Sequence, residues 1–251
     1  MDAPYKLGRL FYYLSDLTLL RARIGGYHVG FVEDLLTLRR KFGLSFTSLI
    51  DVGAHEGKFM DAFRFVSGAG PIVAFEPEPA RYEALESRFA GDNCKLYPFA
   101  LSQSEARRTL FVAGQDPFNS VFNSLAEPEA RLEEIWGGSI DSIKTIEVET
   151  RRLDSVVDIG TLPSPVLLKL NTNETELEIL RGAIESLRNI ACVRVLYSFT
   201  KYHRVNWEIV DLIGFMREHG FTSFYQGVTA FGRGTVLWSD LFFLRDNLGA
   251  S

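Results

Sequence analysis

Cysteine is scarce in this chain of 251 residues, which has only Cys94 and Cys192. Each lies beside an apolar run that reads as a strand, so two buried thiols in a reducing compartment are expected. Neither belongs to a metal-ligand spacing. There is no basic excess either: 27 Lys and Arg stand against 32 Asp and Glu. No basic stripe alternates with aromatics, which argues against a nucleic-acid partner. Long apolar runs are missing from the amino terminus. The longest, Leu10 to Leu14, is too short to cross a bilayer, and Lys6, Arg9 and Asp16 interrupt any signal-peptide core. A cytoplasmic protein with no transmembrane segment is expected. Also lacking is a Gly-x-Gly-x-x-Gly loop, which disfavours a nicotinamide-dependent dehydrogenase.

What is present is one unusual strand tip. Leu49-Ile50-Asp51-Val52-Gly53-Ala54-His55-Glu56-Gly57 reads as a buried strand, a glycine turn and a helix start. A second apolar strand, Ile72-Val73-Ala74-Phe75, ends on Glu76 with Pro77 behind it. Nineteen residues separate Gly57 from Glu76, close to the spacing of about 20 at which a second-strand carboxylate grips a nucleoside ribose. Asp51 puts a carboxylate at the first strand's tip in place of a third glycine. That suits a ligand with a cationic end and no pyrophosphate, such as S-adenosylmethionine.

The chain is long enough for one large domain, and 20 phenylalanines point to a well-filled core. Residues 1–45 read as a helical extension broken near Gly25-Gly26. Its first helix, Tyr5 to Arg23, is apolar at Leu7, Leu10, Phe11, Leu14, Leu17 and Leu20. That stripe suits packing over the main domain, a homodimer contact, or a peripheral foot on a membrane surface. From residue 46 to 251 strands and helices alternate, the mark of a parallel sheet covered on both faces. Strands are expected at 47–52, 71–76, 94–99, 146–151, 166–170, 192–198, 222–226 and 235–244, with a short return strand at Thr109 to Ala113. Helices are expected at 57–66, 79–90, 175–188 and 207–219. Residues 114–145, with Pro117, Pro128 and Gly137-Gly138, read as an irregular insertion.

In this order the chain resembles the FkbM family of S-adenosylmethionine-dependent methyltransferases. The resemblance rests on the Asp51 to Gly57 loop, Ala74-Phe75-Glu76-Pro77, Ala100-Leu101-Ser102, Asn123-Ser124-Leu125 and Arg152-Leu153-Asp154. It continues through Leu168-Lys169-Leu170-Asn171-x-Asn173-x-x-Glu176 and Leu180-Arg181-Gly182-Ala183. It implies an α/β class I methyltransferase fold, Rossmann-like, with a mostly parallel seven-stranded sheet and one antiparallel strand near the carboxyl end. It also implies O-methylation of a sugar, glycan or natural-product hydroxyl. Four positions depart from the family pattern. Asn171 stands for Asp, Asn173 for Glu or Gln, and Glu174 for Gly; Leu196 also replaces a fifth-strand Glu.

The cofactor residues expected are Asp51, Gly53, His55, Gly57, Glu76, Pro77, Ala100, Ser102 and Asn171. Gly53 and Gly57 permit the turn and close approach to the methionine part. Asp51 can hold its ammonium, directly or through water, or brace the loop. Glu76 accepts from both ribose hydroxyls. Ala100 lines the adenine pocket, with Ser102 as the polar contact. Catalytic candidates are Asn171, which can orient a hydroxyl, Glu174 as a substitute base, and His203 as the base suited by residue type. His28 carries no signal. Two amides at the fourth strand's end make a poor magnesium site, so no metal is expected. A second reading is a cofactor-binding homologue that no longer methylates and serves as a partner subunit.

Overall fold

A computed structural model describes residues 16–91, 93–113, 123–130, 132, 143–232 and 234–245. Strands β1 (Ser48–Val52), β2 (Ile72–Phe75) and β3 (Cys94–Tyr97) are followed by β4 (Ala100–Leu101), β5 (Ala106–Ala113) and β6 (Ile143–Arg151). Then come β7 (Val166–Leu170), β8 (Ile190–Ser198), β9 (Phe221–Gly232) and β10 (Thr235–Arg245). Seven of them form one sheet in the order β3-β2-β1-β7-β8-β10-β9. All neighbours from β3 to β8 run parallel, and β10 is antiparallel to both β8 and β9.

The sequence explains the layering. Every residue of β1 and β7 is buried, as strands covered on both faces must be. Alternate side chains serve opposite cores: Ile50, Val52, Leu168 and Leu170 face one, Leu49 and Leu167 the other. Helix Val29–Phe42 places Val32, Leu35 and Leu38 in the second core, beside Phe63 of helix Lys58–Ser67. The order in which strands are added reverses at the β1–β7 seam, and the crevice beyond their carboxyl ends is where such sheets bind ligands.

Several expectations are corrected here. The strands expected at Thr109–Ala113 and 146–151 leave the main sheet; with β4 they form a separate sheet ordered β4-β6-β5. Helix 175–188 is two pieces, Glu176–Arg181 and Ile184–Leu187, parted at Gly182. A Cβ there would lie 2.2 Å from the Ser102 carbonyl, so this close approach requires glycine. Strand 222–226 extends to Gly232 as half of a long bulged hairpin. In the extension, Leu17–Ile24 buries Leu19 and Ala22 and leaves Leu17 exposed, so its buried stripe is not the expected one. Leu7, Leu10, Phe11 and Leu14 lie outside the described residues, as does most of the insertion. Among the described residues no helix is long and apolar enough to cross a membrane.

Candidate active site

A cavity of about 660 Å³ opens at the carboxyl ends of β1 and β7 and continues over one face of β8 and β10. Its first end is built largely from backbone. Gly53, at φ +72°, lies so close to β7 that a Cβ would sit 2.2 Å from the Asn171 carbonyl. His55 turns the chain again at φ +53°, and its N–H donates to Glu76 Oε2 at 2.8 Å. The Glu78 N–H donates to the other oxygen at 3.0 Å. Glu76 is thus fixed at the tip of β2, facing the cavity beside Pro77. Burial pushes its carboxyl upward, against the pull of those two amides. Burial, aided by Arg81, lowers the His55 imidazole to about 4, so the ring is neutral near pH 7.

Asp51 does not reach this end. It is fully buried and absent from the cavity wall. Opposite it in register on β7 is Lys169, whose Nζ lies 2.7 Å from Asp51 Oδ1, 2.6 Å from the Gly53 carbonyl and 3.3 Å from the Val52 carbonyl. The ammonium's three protons therefore meet three oxygens, and the pair braces the glycine loop. Direct capture of a ligand ammonium by Asp51 is excluded by this geometry; bracing is the role that fits. Gly57 is likewise off the wall. Its missing Cβ would meet the Phe89 ring at 2.5 Å, so it serves helix packing.

Ala100 and Leu101 line the cavity, but Ser102 does not. Its hydroxyl donates to Glu178 and accepts from Arg108, both at 3.1 Å, within a polar cluster behind the wall.

Asn171 reaches the cavity at the end of β7, with its N–H donating to the Val52 carbonyl. Asn173 also lines it, and its amide donates to the Asn123 carbonyl at 2.8 Å. The next residue turns away. Glu174, at φ +75°, occupies a conformation that favours glycine. Its carboxylate accepts from the N–H groups of Tyr202 and His203 and lies 3.1 Å from the His203 ring. Glu174 and His203 are both buried and neither lines the cavity. The expectation that either acts as base is corrected: they clamp the loop after β8 to the loop after β7. Glu176 folds back onto the Thr172 N–H and hydroxyl, and it too is off the wall.

Sequence reasoning missed the second end of the cavity. Arg194, Leu196 and Ser198 of β8 share one face with Trp238 and Asp240 of β10, and all five line it. Arg194 Nη2 donates to Asp240 Oδ1 at 2.6 Å, and the pair is almost fully buried. Leu196, where glutamate was expected, has Asp240 as its direct cross-strand neighbour. His28 and Phe31 roof this end, with their rings stacked 3.9 Å apart. Burial, then Arg194, lowers the His28 imidazole. The signals available were single charges inside apolar strands: Lys169 in Val166–Leu170, Arg194 among Cys192, Val193 and Val195, and Asp240 before Leu241-Phe242-Phe243.

The strand order, with its lone antiparallel strand and a crevice between loop and ribose-type carboxylate, defines a class I S-adenosylmethionine-dependent methyltransferase. Residues 51–223 match the Methyltransferase FkbM domain, and the chain belongs to that family. S-adenosylmethionine is its cofactor, and a carboxylate fixed at a strand tip beside a glycine loop fits that group. A 2-O-methyltransferase NoeI of Sinorhizobium fredii is 25% identical over 154 residues, covering 60% of this chain and 63% of that protein. Among solved structures, the N-terminal domain of EvdMO1 with SAH bound has TM-score 0.46 and 11% identity, covering 86% of this chain and 81% of that one. A precorrin-6y C5,15-methyltransferase from Geobacter metallireducens has TM-score 0.43 and 12% identity, covering 86% and 87%.

Proposed function

We propose that this methyltransferase acts on a hydroxyl oxygen of a sugar, glycan or natural product. The observation that carries the reading is the single cavity joining the Glu76 end to the Arg194–Asp240 end, past Gly53 and Asn171. The relative named as a 2-O-methyltransferase supports the oxygen specificity. Bound S-adenosylmethionine supplies an activated methyl group on a sulfonium. Glu76 would accept from the ribose hydroxyls, since a carboxylate only accepts and each oxygen keeps lone pairs beyond its one N–H. Gly53 and His55 would flank the methionine part, with Ala100 and Leu101 at the adenine.

Asn171 would orient the hydroxyl in line. With the methyl group passing from the sulfonium to the oxygen that Asn171 orients, the hydroxyl proton would leave to water. Asn171 and Asn173 do not titrate, and Glu174 and His203 face elsewhere. Alignment can carry such a reaction: well-oriented pairs reach effective molarities of about 10⁵ M or more, against roughly 10²–10⁴-fold for a positioned base.

The same amides favour a second reading, a cofactor-binding homologue that serves as a partner subunit without methylating. A cytoplasmic location belongs to the proposal; Cys94 and Cys192 form no disulfide, and burial pushes the Cys192 thiol well up. Radiolabelled S-adenosylmethionine with a panel of glycans and hydroxylated natural products decides between the readings. Transfer of label to an acceptor oxygen supports the enzyme; binding of S-adenosylhomocysteine with no transfer to any of them supports the subunit.

A further inference from the structure

Arg194 and Asp240 form an ion pair that leaves hydrogen-bonding capacity on both partners. Arg194 Nε and Nη1 and Asp240 Oδ2 are buried and have no partner among the described residues. Buried polar atoms are nearly always paired, and this cluster borders the cavity rather than the solid core. We propose that the pair is the floor of an acceptor subsite that grips adjacent hydroxyls of a neutral polyol, as on a sugar ring. The proposal rests on the methyl-acceptor reading of the same cavity.

The chemistry selects the ligand class. A hydroxyl both donates and accepts, so two neighbouring hydroxyls can take the guanidinium N–H groups and satisfy the carboxylate oxygen together. An anion would be drawn by Arg194 but repelled by Asp240, whose Oδ1 lies 2.6 Å from the guanidinium. A cation would meet the guanidinium. Phe31 and Phe59 flank that guanidinium, each ring centre 5.0 Å away. They hold its plane fixed and give the subsite apolar walls, the usual setting for a few orienting polar groups. Phe31 comes from helix Val29–Phe42, which makes the helical extension part of acceptor recognition.

The test measures binding of methyl pyranosides to protein saturated with S-adenosylhomocysteine, by saturation-transfer NMR, with a simple phenol and a sugar phosphate as comparators. Two variants are used. Arg194→Met with Asp240→Leu removes both charges together, which cores often tolerate. Arg194→Lys keeps a cation for Asp240 but loses the planar fork. We expect pyranosides to bind the wild type, and both variants to bind them about ten- to a hundredfold more weakly, the range for hydrogen bonds to charged groups. S-adenosylhomocysteine affinity should stay within about twofold, because the two ends are separate sites. If the double variant does not fold, Arg194→Lys alone decides. Unchanged pyranoside binding in the variants overturns the subsite, as does a wild type that binds only phenol, only phosphate or no acceptor. Failure of the wild type to bind S-adenosylhomocysteine would instead sink the cofactor reading, and the subsite with it.

Discussion

Two buried ion pairs, each joining neighbouring strands of one sheet, do different work in this protein. Asp51–Lys169 links β1 to β7, and the lysine's donors are spent on Asp51 and the backbone of the glycine loop. Arg194–Asp240 links β8 to β10, and donors and an acceptor remain open beside the cavity. Asp51 also has an oxygen without a partner among the described residues, but it lies behind the wall. The difference shows how one device serves two ends. A pair saturated by backbone makes a rigid cradle, and one left unsaturated at a cavity keeps polar atoms open to a ligand, the feature on which the proposed subsite rests.

Breaking the first pair should have the largest effect. Lys169→Met leaves Asp51 buried without its counter-charge, where burial already pushes its carboxyl up. A loss of about 3–5 kcal/mol follows, or roughly 10 °C in a chain of this size. Differential scanning calorimetry measures it, and a melting temperature within a degree or two of wild type would refute the brace.

The second pair is sharpened through its neighbour Asp34, whose carboxyl is raised to about 7, first by burial and then by Asp240. Below about pH 4 this side chain is protonated in both folded and unfolded chains, and its contribution is fully present. As pH rises toward 7 the unfolded chain ionises while the folded one holds its proton, so stability is lost through that window. Asp34→Asn removes the loss. It should stabilise the protein on the order of a few kcal/mol at pH 7–8 and much less at pH 4–5. Urea denaturation at both pH values reads it; an equal effect at both would contradict the shift.

Legibility in the sequence divides along the same line. The cofactor end was readable because its parts are consecutive: a strand tip, two glycines, and a carboxylate one strand later. What Asp51, Gly57 and Ser102 do was not readable, since residues in such motifs serve packing or ligand according to partners distant in sequence, here Lys169, Phe89 and Glu178. Glu174 broke the expected glycine position, and only the fold brings up Tyr202, His203 and Trp207, whose hydrogen bonds hold it in a left-handed turn. The second end of the cavity draws on residues near 30, 195 and 240, and no local pattern brings them together. Their one signal was a charge inside an apolar strand. The small β4-β6-β5 sheet was missed for a related reason: alternation marks a strand without naming its sheet.

At the cofactor end, Glu76→Ala should weaken S-adenosylhomocysteine about a hundredfold, the effect of losing charged hydrogen bonds to two hydroxyls. Pyranoside binding, where it can be measured, should change far less. Titration calorimetry on the variant checks the first statement, and affinity equal to wild type would remove Glu76 from the site.

The smallest expected effect concerns a residue that belongs to neither end. His203 suits a base by type, and it follows β8, where an acceptor would lie. Yet its ring is buried against Glu174, and its N–H donates to the same carboxylate. A base must come within hydrogen-bond reach of the proton it takes, directly or through one water, and His203 does not border the cavity. His203→Gln keeps a polar side chain beside Glu174, so it should lower stability by about 1 kcal/mol, the worth of one hydrogen bond. The pH dependence of methyl transfer should stay as in wild type. A base would behave otherwise: its loss would cost roughly 10²–10⁴-fold in rate and erase a limb of the pH–rate profile. Loss of that limb in a well-folded variant would return His203 to the reaction and require the loops after β7 and β8 to open during turnover.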